Sequence, residues 1–544
     1  MPAPIEAPHC YDPRPMRSRA LLPAVAALVV VVTLPRADAA PAVTPAPPSL
    51  PAIEADVERA RREFEIPGVA VAVVKDGRVV LAKGYGVKRQ GGSAAVDGDT
   101  LFAIASNTKA FTSAALGLLV EDGKLQWDDP VTRHLPSFQM YDPYVSREMT
   151  IRDLLTHRSG LGLGEGDLLY FPPSTFTRKE IVEKVRFLRP ATSFRSAYAY
   201  DNVLYIVAGE VVAAVSGKTW EAFVRERLLS PLGMKETVPN PSALPAGANA
   251  ATPHARVEGT LRTVAPDDAD NIAAAGGILS SARDMARWVT ALLEAGAPSP
   301  APPSVLTPRL VQELWTAQTN MPITEPVAPL SALKPRFLAY GLGFNLRDYH
   351  GWKLVTHTGG LSGMVSRVAL VPEEHLGVVV LTNQESGGGR DAIAYRVLDA
   401  FLGAPATDWI PAFKEAERVD EAHARAVEGE HRATRAATTR PSLPLARYAG
   451  PYRDAWYGDA TIQMEGDHLV IRFSRSPSLT ADLEHWHYDT FVARWRDRTV
   501  PDAFVTFALR PDGSIDRIRM EAFSPAADFS YDYQDLLLTP AREK

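Results

Sequence analysis

Ser106 and Lys109, three residues apart in the stretch IASNTKAFTSAALGLL, are the first residues whose types and spacing promise chemistry. A serine hydroxyl becomes a nucleophile only when a neighbour takes its proton, and a lysine does so only when burial and nearby dipoles lower its proton affinity. On an α-helix this spacing puts both side chains on one face. It also describes a capping serine with a surface lysine, and the chain holds a second copy, Ser331-Ala332-Leu333-Lys334. Pro335 follows that copy and drives Lys334 out of helical conformation. The first copy opens an apolar run free of Pro and Gly as far as Gly117, with Ser106 or Asn107 expected as its cap. The first copy thus stays a candidate nucleophile and base beside the plainer reading of a capping serine and a surface lysine, with the helix N-terminus offering amide donors to an oxyanion.

Two more groups follow in order. Tyr200-Asp201-Asn202 is the chain's only Tyr-x-Asn and precedes a helical run, VLYIVAGEVVAAVSG; His357-Thr358-Gly359 ends an alternating strand pattern, WKLVTHTGG. Arg158-Ser159-Gly160 matches the third group loosely, but it precedes Tyr200 and belongs to no strand pattern. The ordered set resembles the serine β-lactamase and penicillin-binding family, in particular its class C-like, esterase and D-aminopeptidase branch. The segments LLTHRSGL and NIAAAGGILSSARDMARW resemble others common in that family, and the likeness runs from about Ile53 to Gly403.

The resemblance implies that Ser106 forms an acyl-enzyme while Lys109 and a partly ionised Tyr200 share the proton work through coupled titrations. It implies that Asn202 orients Lys109 and meets the scissile amide or ester, and that the amides of Ser106 and Gly360 form an oxyanion hole. His357, Thr358, Gly359 and Gly360 would be the substrate-binding edge, and no metal or cofactor is needed. Asp201, where small residues are usual, is expected to point outward. His357 stands where many penicillin-recognising members carry lysine; mostly neutral at pH 7, it recognises a carboxylate more weakly. The expected substrates are thus esters or amides of small acyl or D-amino-acid-type groups, peptidoglycan-derived ones included. β-Lactamase or D,D-peptidase activity, and a catalytically idle member that binds an envelope partner, are the alternatives.

The elements that must position these groups suggest an α+β fold. VAVAVVKDGRVVLAKGYGV reads as a hairpin around Asp76-Gly77, and strand patterns return only after a mainly helical stretch from Ser106 to about Trp288. An antiparallel sheet built from both ends of a domain, flanked by helices and carrying an inserted helical subdomain, accommodates this, with a helix RDAIAYRVLDAFLG to follow. The expected divisions are a hydrolase domain over 53–403, a charged helical linker over 404–443, and a small β-barrel or β-sandwich domain over 444–544 with hairpins at Gly466 and Gly513. GLGLGEGD, residues 160–167, reads as a mobile loop near the cleft rather than a phosphate loop, because no strand leads in and no lysine follows. A lipase-type Gly-x-Ser-x-Gly is absent, and His485 and His487 lack a convincing further set of metal ligands.

Residues 1–39 read as an export signal: Arg17 and Arg19, an apolar run Ala20–Leu34, then Ala37-Asp38-Ala39. That run is shorter than the ~20 residues of a spanning helix, so no stable membrane span is expected once it is removed. A Pro/Ala linker over 40–52 follows. Cys10, the single cysteine, lies within the signal, which excludes disulfides and thiolate metal sites from the remainder. With 58 basic and 64 acidic residues the chain is mildly acidic, which argues against a nucleic-acid partner. A periplasmic or secreted location is expected.

Overall fold

The computed structural model describes residues 49–296, 305–405, 407–436 and 438–541. The signal reading falls outside them. Of the expected linker, Ser49 and Leu50 onward are described: the helix Leu50–Glu63 starts there, with Pro51 in its first turn where its missing N–H costs nothing.

The hairpin at Asp76-Gly77 forms as the sequence suggests, joining strands Gly68–Lys75 and Arg78–Gly86. Asp76 and Gly77 both take positive φ, 51° and 72°, the conformation a two-residue turn of matching twist requires. These strands join an eight-stranded antiparallel sheet, continuing through Leu376–Thr382, Met364–Val371, Trp352–Leu361, Asn345–Tyr349, Leu338–Tyr340 and Thr319–Asn320. Both ends of the expected hydrolase region thus supply one sheet. Strand Gly68–Lys75 is buried on both faces, and its alternation sorts the packing. Val69, Val71 and Val73 meet the helices Leu50–Glu63 and Gly387–Leu402, whereas Ala70, Ala72 and Val74 share a cluster with Trp288 and Val289 of helix Ala282–Ala295.

Helix Thr108–Glu121 is buried almost throughout. It passes so close to helix Pro308–Leu314 that a β-carbon on Gly117 would lie 2.1 Å from a Leu310 methyl, so any larger residue there would have to displace the Leu310 side chain. The stretch expected to be mainly helical also holds a hairpin, His254–Val257 with Thr260–Thr263, turning at Glu258 and Gly259. Its short strands carry too little alternation to announce themselves. No single helix among the described residues is long and apolar enough to cross a membrane; helices Val203–Ser216 and Trp220–Leu229 pass together, but they bend by 74°.

Helix Trp409–Thr434 docks by its first turns, where Trp409, Ile410 and Phe413 are buried and Trp409 Nε1 donates to Asp399 at 2.7 Å. The C-terminal unit is an eight-stranded antiparallel sheet that nearly closes into a barrel, since Leu538 bridges back to Ile518. The aromatic residues Tyr448, Trp495 and Tyr533 are fully buried within it. The unit is not a separate body: its core residues form one contiguous cluster with those of the helical region around Ser106.

Candidate active site

The turn that carries Ser106 is a short 3-10 segment, Ala105–Asn107, that runs into helix Thr108–Glu121. Neither Ser106 nor Asn107 caps it with a side chain, contrary to expectation. Asn107 instead donates to Ser366 Oγ at 2.8 Å, and Ser366 donates to the Ile104 carbonyl at 2.7 Å, so the turn is fastened to the sheet. Ala105, just before the serine, adopts φ 47°, a left-handed conformation that a non-glycine residue holds only at a cost of ~1 kcal/mol.

Lys109 is wholly buried, with Nζ donating to Ser106 Oγ at 3.1 Å, Asn202 Oδ1 at 2.6 Å and the Ala275 carbonyl at 3.1 Å. Burial pushes its amine down to about 7, against the opposing pull of Asp167 and Asp201. Lys109 Nζ lies 4.8 Å from the centre of the Tyr200 ring, and Ser106 is the neighbour that favours the ionised form of the Tyr200 hydroxyl. Burial raises the Tyr200 hydroxyl well above its ordinary value, so the expectation of a partly ionised tyrosine fails: the phenol is neutral in the resting site. Asp201 does not point outward either. It is fully buried, accepting from Ser159 Oγ at 3.2 Å, while its amide donates to His157 Nδ1 at 3.1 Å. The His157 ring lies against Tyr200 with centroids 4.3 Å apart, so the LLTHRSGL segment forms the wall behind the tyrosine.

Strand Trp352–Leu361 closes the other side. Its neighbour Asn345–Tyr349 pairs with it only as far as Thr356, which leaves Thr358, Gly359 and Gly360 as an edge lining the cleft. A β-carbon on Gly359 would lie 2.2 Å from the Ile104 carbonyl and 2.9 Å from the Ser106 amide, so only glycine lets this edge approach the turn that carries Ser106. His357 is buried; Nδ1 donates to the Thr358 carbonyl at 2.6 Å, leaving Nε2 to accept from the Tyr340 hydroxyl at 2.9 Å. Burial, aided by the Lys109 charge, lowers it to about 3, so it enters the cleft wall uncharged.

The structure thus gathers Ser106, Lys109, Tyr200, Asn202, His357, Thr358, Gly359 and Gly360 around one cleft. Several neighbours escaped the sequence reading. Asp167, at the end of the 160–167 loop, accepts from Asn202 Nδ2 at 2.9 Å and is pushed up to about 7 by burial. That loop is pinned rather than free: the Gly162 amide donates to Glu165 and the Gly164 amide to the Tyr200 carbonyl. Phe529 and Ser530 of the C-terminal unit also line the cleft. No local pattern marks these residues, because each acts through a contact distant in sequence.

The cleft is about 1280 Å³, larger than the ~300 to 1,000 Å³ typical of small-molecule pockets. Among the described residues, Glu465, His468 and Asp482 approach one another on the C-terminal unit, but Arg472 and Arg496 already pair with these carboxylates. His485 Nε2 is bonded to the Tyr488 carbonyl.

A family model described as Beta-lactamase matches residues 53–402, and one described as a domain of unknown function (DUF3471) matches 434–540. The unguisins hydrolase ungD of Aspergillus violaceofuscus is 32% identical over 85% of this chain and 86% of its own length. Its counterpart ungD' of Aspergillus campestris is 31% identical over 78% and 79%. An octameric penicillin-binding protein homologue from Pyrococcus abyssi shares the fold with a TM-score of 0.59 at 22% identity, over 90% of this chain and all of its own. With these motifs assembled in one cleft and the match covering most of its length, the chain belongs to the Beta-lactamase family and is a serine hydrolase.

Proposed function

We propose that the protein is an exported hydrolase that forms an acyl-enzyme on Ser106 and cleaves esters or amides of small acyl or D-amino-acid-type substrates. The observation that carries this reading is the buried Lys109 amine, lowered to about 7 and 3.1 Å from Ser106 Oγ. In the first step Ser106 attacks the carbonyl carbon and gives its proton to neutral Lys109, while the Tyr200 hydroxyl protonates the leaving oxygen or nitrogen. The resulting ammonium and phenolate carry opposite charges, with Lys109 Nζ 4.8 Å from the centre of the Tyr200 ring. In the second step water gives a proton to the Tyr200 phenolate and attacks the acyl group, and Lys109 returns its proton to Ser106. The amides of Ser106 and Gly360 would bind the oxyanion, a contribution worth ~3 to 4 kcal/mol in other enzymes.

The uncharged His357, with both ring nitrogens engaged, favours neutral acyl groups over penicillin-like carboxylates. The fungal relatives named as unguisins hydrolases support a hydrolytic reaction. Export rests on the signal-like pattern of residues 1–39. The test is turnover of a short-chain nitrophenyl ester, a D-amino-acid anilide and a chromogenic cephalosporin, with intact-mass detection of a phosphonate on Ser106. Ester or anilide turnover with labelling at Ser106 is expected; cephalosporin turnover alone would favour the lactamase alternative, and no turnover with no label would overturn the proposal.

A further inference from the structure

Asp167 and Ser530 are separated by 363 residues, yet Ser530 Oγ donates to Asp167 Oδ2 at 2.8 Å. The same oxygen accepts from Asn202 Nδ2, and Asn202 Oδ1 accepts from Lys109 Nζ. A side-chain amide is nearly symmetrical in shape, so what fixes its oxygen toward Lys109 is an acceptor on its nitrogen side. Asp167 is that acceptor. Two residues beyond Ser530, Asp532 accepts from the amides of Gly166 and Leu168 at 2.6 and 3.0 Å and clamps the turn that carries Asp167. A β-carbon on Gly164 would lie 2.7 Å from the Phe529 ring, so the two segments are in direct contact.

We propose that the C-terminal unit is a working part of the catalytic centre, with Ser530 a positioning residue that acts through Asp167 and Asn202 to align Lys109 with Ser106 and to set the charge it feels. The proposal rests on the reading of Lys109 as the base. Besides these residues, the titratable groups facing the chain are Asp201, Tyr200 and Tyr205 beside Lys109, with His157 and His357 behind. Tyr170 and Asp532 are the titratable groups that interact with Asp167, and Asp535 acts in turn on Asp532 and Glu165. The Ser530 hydrogen bond favours ionised Asp167, and ionised Asp167 raises the proton affinity of Lys109. Removing either therefore moves the acidic limb of reactivity to lower pH.

The test is the pH dependence of the rate at which an alkyl fluorophosphonate labels Ser106 in the whole protein. Labelling forms the Oγ–P bond, expels fluoride and passes the hydroxyl proton to Lys109. In Asp167→Asn the acidic limb should fall by about one pH unit. Ser530→Ala should shift it the same way by less and slow labelling roughly tenfold through loss of alignment, with Ser530→Thr restoring the wild-type profile. Profiles of Ser530→Ala and Asp167→Asn that superimpose on a normally labelled wild type would overturn the proposal and leave the acyl-enzyme reading standing. An unlabelled wild type would instead bring down that reading, and this proposal with it. Should Ser530→Ala fail to fold, Ser530→Cys, of similar size but a weak donor, takes its place: a limb moved to lower pH supports the proposal and an unmoved one overturns it.

Discussion

The chain carries one four-residue pattern twice, and the two copies lead opposite lives. Ser106 and Lys109 sit where a fastened turn enters a buried helix, with the amine enclosed by Asn202, the Ala275 carbonyl and the Tyr200 ring. Ser331 lies exposed in a 3-10 segment, and Lys334 ends it in an extended conformation, φ −63° and ψ 117°, with its ammonium paired to Glu325 at the surface. The spacing is identical. What differs is desolvation, which lowers the proton affinity of the first lysine, and helical continuation, which brings it beneath the hydroxyl.

Ser106→Ala should lower turnover by about 10⁴-fold or more, while Ser331→Ala leaves it intact; equal losses in a steady-state ester assay would mean that the copies are misjudged. Next in size, Lys109→Met should cost about 10³-fold and Lys334→Met nothing, read as kcat in the same assay. The third contrast uses acidity. Because protonated Lys109 cannot take the serine proton, kcat/KM should fall about tenfold per unit below pH 7; a fall that already begins near pH 10 would deny the lowered amine, and a flat profile down to pH 5 would deny a base titrating near 7. Smallest, Ser366→Ala should slow turnover a few-fold and cost about 1 to 2 kcal/mol in denaturant unfolding, since it frees the Ile104 carbonyl and Asn107 from the sheet. No change in either would show that the turn holds itself.

The order of Ser106, Tyr200 and His357 along the chain was legible because each group sits in a local pattern: a helix start, a loop before a helix, a strand end. The antiparallel sheet and the two C-terminal hairpins were legible for the same reason, since alternation and turn residues are short-range signals. Asp201 was misjudged because loop residues have no period, so the side to which a side chain points is set by distant partners such as His157. A Tyr-x-Asn in a loop does not reveal how deeply its ring is buried, and it is that burial which disfavours the Tyr200 phenolate. The bond from Ser530 to Asp167 was invisible for a further reason: it joins two units whose only common feature in the sequence is their order.

The contiguous core that binds the C-terminal unit to the helical region bears on how this molecule comes apart. Regions that bury their apolar side chains against one another lose stability together, so the interface converts two potential melting events into one cooperative transition. Calorimetry should accordingly show a single endotherm, and a tight covalent adduct on Ser106 should raise the melting point of the barrel as much as that of the sheet.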